Sequence, residues 1–167
     1  VYGLGGNGLN KEASKKIYAA KGRPSDNPLI LHIADMEQFY PLIKTDNAKI
    51  IARAEALADV FWPGPLTMIL PKADNIPYET TGGLDTVAIR MPSHLVARAL
   101  LQECKMPIAA PSANLSGRPS PTSASHVIED MNGRIEMIID GGDVGIGVES
   151  TIIDLTGEVP MLSLIDI

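Results

Sequence analysis

Helix-period and strand-like apolar runs alternate along the whole of this chain, and that alternation restricts it to a layered α/β architecture. Ala13, Ile17 and Ala20 share one face of a helix predicted over residues 11–20, with Asn10 placed to cap it. Residues 29–33 follow as a buried strand. Ile50, Ala54, Leu57 and Phe61 recur at helical spacing in a longer helix that starts after Asp46 or Asn47 and stops at Pro63. Residues 66–70 and 86–90 read as strands, a helix capped by Ser93 runs to about Glu103, and 108–110 suits a central strand. Residues 123–131 read as helix, and 136–139 and 151–155 as strands. Neighbouring strands mixed with crossover helices predict a twisted mixed sheet flanked by helices.

Size and charge narrow the function. The 167 residues, 45% apolar and 20% charged, are enough for one domain with one core. The 14 basic and 20 acidic residues give a net charge of -6, which opposes nonspecific attraction to a nucleic-acid backbone or an anionic membrane. An RNA partner would need a local basic patch. Cys104 is the only cysteine, so no intrachain disulfide can form and a reducing compartment is the simpler setting. No apolar run is long enough to cross a bilayer and no signal peptide opens the chain, so the expectation is a cytoplasmic protein with no membrane partner.

Glycine and proline gather between the elements, at Lys21-Gly22-Arg23-Pro24, Trp62-Pro63-Gly64-Pro65, residues 117–121 and residues 141–147. Such loops are stiff or tightly bent and suit fixed donors around a ligand, although each alone is also ordinary turn punctuation. Two pairs stand out within them. In an extended loop residues two apart point the same way, so Lys21 and Arg23 are expected to face one ligand, as are Ser112 and Asn114. A lysine and an arginine suit a polyphosphate or a carboxylate, and the alternative is a solvated loop. Arg90 closes the apolar run Val87-Ala88-Ile89 at a strand's carboxyl end, where open α/β sheets place ligands; its alternative is an ion pair with a nearby carboxylate.

Other motifs fail their contexts. Gly3-Leu4-Gly5-Gly6-Asn7-Gly8 matches G-x-G-x-x-G, but almost no strand precedes it and Asp26, about twenty residues on, lies in a proline-flanked loop. His32, His94 and His126 lack metal-ligand spacing, so no protein metal site is expected; His32 carries more weight because it follows the cationic loop on a buried strand.

Six segments, taken together and in this order, carry a family resemblance. They are Val1-Tyr2-Gly3-Leu4-Gly5; Lys21-Gly22-Arg23-Pro24 with Asn27-Pro28-Leu29-Ile30; Phe61-Trp62-Pro63-Gly64-Pro65-Leu66-Thr67; Val87-Ala88-Ile89-Arg90-Met91-Pro92; Pro111-Ser112-Ala113-Asn114-Leu115-Ser116-Gly117; and Gly147-Val148-Glu149-Ser150-Thr151-Ile152. The chain resembles the YrdC-like threonylcarbamoyl-AMP synthases over nearly its whole length. The resemblance implies a single YrdC-like domain over residues 1–167, with a concave ligand groove. It implies an enzyme that joins L-threonine, bicarbonate and ATP into threonylcarbamoyl-adenylate with release of pyrophosphate, for a tRNA-modifying transferase downstream. It assigns Lys21, Arg23, Ser112 and Asn114 as the catalytic set and adds Asn27, Thr86 and Ser120 as ATP contacts. His32, Arg90 and Ser150 would contact threonine, and magnesium would arrive through the ATP phosphates.

The sequence departs from the family pattern at both ends. A strand and a Pro-Thr-(Glu/Asp)-Thr segment are expected ahead of Val1, and an Arg-Pro-Gly segment near the other end, and the sequence shows neither. Two other classes stay open at this point: an RNA-binding or ribosome-maturation module, and a carbamoyl-adenylate-forming domain of the hydrogenase-maturation kind.

Overall fold

The computed structural model describes residues 1–163. The stretch in which the C-terminal arginine is sought therefore runs into residues 164–167, which lie outside the described residues. Seven strands form one mixed sheet: β1 (Gly6–Asn7), β2 (Ile30–His32), β3 (Leu66–Pro71), β4 (Thr86–Arg90), β5 (Ile108–Ala109), β6 (Thr151–Asp154) and β7 (Met161–Ser163). Their order in space is β1-β5-β2-β4-β3-β6-β7. The pairs β2–β4 and β3–β6 are parallel and the other four antiparallel, which is the mixture the alternating pattern predicts. The helices are α1 (Lys11–Lys21), α2 (Ala48–Phe61), α3 (Tyr78–Thr81), α4 (Leu95–Cys104) and α5 (Ala124–Met131).

Apolar burial sets the register. Leu31 of β2, Met68 of β3 and Ile89 of β4 are paired across neighbouring strands and fully buried, so a one-residue slip would turn the whole buried set to the other face. Ile17 and Tyr18 of α1, Ile50 and Ala54 of α2, and Val127 and Met131 of α5 close over this core. Phe39 stands edge-to-face on Trp62 with ring centroids 5.8 Å apart. Trp62 in turn donates from its indole to Leu66 O at 2.7 Å, folding the Trp62–Pro65 turn, with its cis Trp62–Pro63 bond, against the start of β3.

Local chemistry explains where elements start and stop. Asn10 and Asn47 cap α1 and α2, their side chains accepting from the backbone N–H of Glu12 at 2.9 Å and Lys49 at 3.0 Å. α4 begins after His94 rather than Ser93 and has no side-chain cap. The strand expected at 136–139 does not form. Met137 and Ile139 are exposed, and both sides of β6 are already taken by β3 and β7, so that segment cannot pair beside β6. β1, β7 and α3 escape sequence reading because two to four residues cannot display a period.

Gly82 fixes the loop between α1 and β2. It ends α3 in the left-handed region at φ 61°, and a Cβ there would sit 2.7 Å from Asp26 O and 3.1 Å from Pro28 N. Gly83, at φ 83°, faces open space. Gly83→Ala should therefore cost only the left-handed strain, about 1–2 kcal/mol, whereas Gly82→Ala should cost more by at least about 1 kcal/mol because backbone must move. Urea denaturation of the two variants checks this; equal losses would show that the loop is not seated on α3.

Candidate active site

The sheet register brings the candidate residues together. His32 pairs with Arg90 across β2 and β4, Arg90 with Thr67 across β4 and β3, and Thr67 with Ile152 across β3 and β6. Register partners share a face, so these four form a row across the carboxyl ends of β2 and β4. A cavity of about 110 Å³ opens over that row, and Arg23, His32, Arg90, Ser112, Glu149 and Ser150 are among its lining residues. A larger hollow of about 500 Å³ elsewhere, lined by Leu9, Glu37, Gln102 and Lys105 among others, contains none of the candidate residues.

Each cationic side chain is oriented by a backbone carbonyl. Arg90 Nε donates to Gly64 O at 3.0 Å, while Gly64 N–H donates to Met91 O at 2.8 Å, so the Trp62–Pro65 turn grips the end of β4. Gly64 has no room for a Cβ, which would overlap the carbonyl of Phe61. Arg23 Nη2 reaches Pro28 O at 3.4 Å, and its buried Nε–H has no partner among the described residues. Neither arginine has a carboxylate within ion-pairing distance there, so the ion-pair alternative for Arg90 does not hold. Burial lowers the pKa of both guanidinium groups, yet an arginine stays charged.

His32 Nδ1–H donates to Ile30 O at 3.2 Å. Burial first, and the facing Arg90 second, push its pKa down to about 4, so the imidazole is neutral near pH 7 and adds no positive charge. Ser150 and Thr67 share a hydrogen bond between hydroxyls at 2.7 Å. Ser120 Oγ donates to Glu149 Oε1 at 2.5 Å, placing Ser120 beside the cavity rather than on its lining. Glu149 is the one carboxylate among the lining residues, and it forms no ion pair among the described residues.

One expectation about direction is corrected. Lys21 and Arg23 do not lie on an extended loop: Lys21 is the last residue of α1, and Gly22 turns the chain through the left-handed region at φ 61°. The closing bonds Gly22 N–H to Ala19 O and Arg23 N–H to Tyr18 O are those of a Schellman cap. Lys21 therefore turns inward, where Nζ donates to Ser112 O at 2.5 Å, Asn114 O at 2.6 Å and Asn114 Oδ1 at 3.2 Å. Lys21, Ser112 and Asn114 are thus gathered in one cluster, but only Ser112 of the three lines the cavity.

Asn27 and Thr86 stay apart from the cavity lining. Asn27 O accepts from Tyr18 Oη at 2.9 Å, and Thr86 begins β4, roughly 13 Å along the strand from Arg90 at its far end. Sequence reading missed Tyr2, Gly64, Thr67, Asp130 and Glu149. Tyr2 Oη donates to Gly142 O at 2.6 Å and accepts from Gly141 N–H at 3.1 Å, tying a glycine-rich loop to the cavity rim. Asp130 left a readable signal, a carboxylate on the apolar stripe of α5 between Val127 and Met131.

The comparisons with known proteins bear on the family and the fold. The family model Sua5/YciO/YrdC, described as telomere recombination, matches residues 1–163. A threonylcarbamoyl-AMP synthase of Pyrococcus abyssi is 60% identical over 97% of this chain and 46% of its own length; one of Bacillus subtilis is 57% identical with the same coverage. The chain thus spans about half the length of these curated relatives. The crystal structure of P. abyssi Sua5 complexed with L-threonine superposes with a TM-score of 0.92 at 59% identity, again over 97% of this chain and 46% of the other. A family model that runs over nearly every residue, on the same sheet and helices, establishes that this chain belongs to the Sua5/YciO/YrdC family.

Proposed function

We propose that this chain forms threonylcarbamoyl-adenylate from L-threonine, bicarbonate and ATP. The observation that carries the reading is the pair of guanidinium groups, Arg23 and Arg90, aimed into one cavity with no carboxylate paired to either. Unpaired, half-buried cations of this kind call for anionic ligands. The relatives named above, and the threonine bound to one of them, support the choice of amino acid and nucleotide.

The chemistry uses no covalent enzyme intermediate. Threonine's amine, after losing a proton, adds to the carbon of bicarbonate, and water leaves to give a carbamate. A carbamate oxygen then bonds to the α-phosphorus as the bond from that phosphorus to the bridging oxygen breaks, and pyrophosphate departs with the electron pair. Positioning and charge stabilisation are the protein's contribution. Arg90 pairs with the threonine carboxylate beside neutral His32 and the Thr67–Ser150 hydroxyl pair. Arg23 and Ser112 face the phosphates. The cavity volume of about 110 Å³ lies below the roughly 300–1,000 Å³ of drug-sized ligand sites, so ATP would place only its reacting end here.

No group of three or more His, Cys, Asp or Glu side chains able to hold a metal ion occurs among the described residues. Magnesium is read as arriving on the nucleotide, where Glu149, the one carboxylate on the cavity lining, would be the side chain to reach it; bound there it would neutralise phosphate charge. The product passes to a separate transferase acting on tRNA.

Pyrophosphate release from ATP with bicarbonate should require threonine, and threonine-independent release would refute the reading. Arg90→Ala should raise the KM for threonine at least about tenfold, the loss of one charge-assisted contact, while Arg23→Ala should act chiefly on the KM for ATP. His32 supplies a second check. Its folded pKa of about 4 lies below the unfolded value of about 6.5, so between them the unfolded chain binds the extra proton and stability rises with pH. Stability from this group is in place above about pH 6.5 and is lost as pH falls toward 4. Replacing His32 by Gln should flatten the denaturation profile over that window by about 1–3 kcal/mol; an unchanged slope would contradict a buried neutral imidazole.

A further inference from the structure

Residues 112–118 form no regular element, yet their polar groups are held from two sides. From α1, Lys21 spends its three ammonium donors on Ser112 O, Asn114 O and Asn114 Oδ1, and Lys21 O accepts from Ser116 N–H at 2.9 Å. From α5, Asp130 accepts Leu115 N–H on Oδ2 at 2.9 Å and Arg118 Nη1–H on Oδ1 at 2.5 Å. Between them Asn114 Nδ2 donates to Leu115 O at 3.0 Å and to Arg118 O at 2.6 Å.

Both clamping side chains are buried, Lys21 3% exposed and Asp130 8%. A buried charge persists only where hydrogen bonds or an opposite charge replace its water. Each of these has both: the loop's polar groups, and the other's field across the loop. Burial pushes Lys21 down to about 8, with Arg23 adding to the effect and Asp130 opposing it. The Asp130 carboxyl is held below the usual range, first by the Leu115 N–H and then by Arg118 and Lys21, against the effect of burial.

We propose that Lys21 and Asp130 are the two ends of a clamp on residues 112–118, and that Asp130 is a positioning residue for the active site although it lines no part of the cavity. The inference rests on the function proposed above. Asp130 acts through Leu115 and Arg118, which fix Asn114, and so sets where Ser112 stands opposite Arg23 and Arg90. Lys21, with every donor engaged, is likewise a positioning residue rather than a phosphate contact. A phosphate oxygen could bind Lys21 only by taking it from the loop that holds Ser112.

Steady-state kinetics, thermal unfolding and amide exchange on the full chain test this. Asp130→Asn turns one acceptor into a donor that faces either Leu115 N–H or Arg118. Its KM for ATP should rise about tenfold, its KM for threonine should stay within about twofold, and Asp130→Glu should recover part of the loss. A purely structural role would instead lower the folded fraction, reducing apparent kcat with both KM values unchanged, and that result overturns the proposal. Should Asp130→Asn fail to fold, Arg118→Gln removes from a half-exposed side chain its pairs with Asp130 and the exposed Glu129, and leaves Asp130 its bond from Leu115 N–H. It should raise the same KM two- to threefold, and no change would count against the clamp. Exchange gives a readout free of turnover: Leu115 and Ser116 amides should lose at least about tenfold protection in Asp130→Asn and about two- to threefold in Arg118→Gln, which keeps the Leu115 bond, while β3 and β4 amides keep theirs. Normal protection there refutes the clamp even if the enzyme is active. Lost protection in a chain without threonine-dependent turnover would uphold the clamp and discard the proposed reaction.

Discussion

The parallel pairing of β2 with β4 is the constraint on which the candidate site depends. It sets His32 beside Arg90, and the antiparallel ladder from β4 to β3 then places Thr67 in the same row. The register is chosen in the core, where Leu31, Met68 and Ile89 are removed from water, and the polar row inherits it. A slip by one residue would expose those three side chains and turn His32 and Arg90 away from the cavity together. Packing energy thus guards the geometry of the cavity row without any part in it for the core residues themselves.

The charges follow the same economy. The chain carries a net charge of -6, yet two guanidinium groups meet one small cavity. Each is aimed by a single carbonyl, Gly64 O for Arg90 and Pro28 O for Arg23, and a carbonyl orients a cation without cancelling its charge. A carboxylate in either place would have oriented the arginine as well but neutralised it. Neutral His32 adds shape and hydrogen bonding beside Arg90 while leaving the positive charge to the arginines. Local potential at a lined cleft, rather than net charge, governs which ligands enter.

Much of the fold was legible in the sequence because the long elements obey their periods. Asn10 announced one helix start, Asp46 or Asn47 were the alternatives for the next, of which the structure uses Asn47, and Thr86–Arg90 is a strand with the bounds its apolar run suggests. The segment at 136–139 has equal local strand character and fails because pairing is non-local, since no free ladder edge lies beside β6. The candidate site was legible as residue types and order. Its directions were not, because Gly22 enters the left-handed region and sends Lys21 and Arg23 to different neighbours. Glu149 and Thr67 stayed hidden for a related reason: each matters through a partner more than fifteen residues away, Ser120 and Ser150.

That left-handed turn also explains why two short patterns far apart in the chain belong together. In residues 112–114 the chain bends after Ser112, and the carbonyls of Ser112 and Asn114 both accept from one ammonium group. A lysine at the end of α1 reaches both because its stem lies along the helix end while the chain leaves in another direction through Gly22. Arg23, next after that glycine, is then free to enter the cavity. The spacing of Lys and Arg around a glycine therefore separates two cations, one buried against residues 112–114 and one on the lining of the cavity. The spacing of Ser and Asn encodes the surface that the buried cation reads. The two patterns are the two halves of one contact, and substituting either residue of the first would disturb the cavity by a different route.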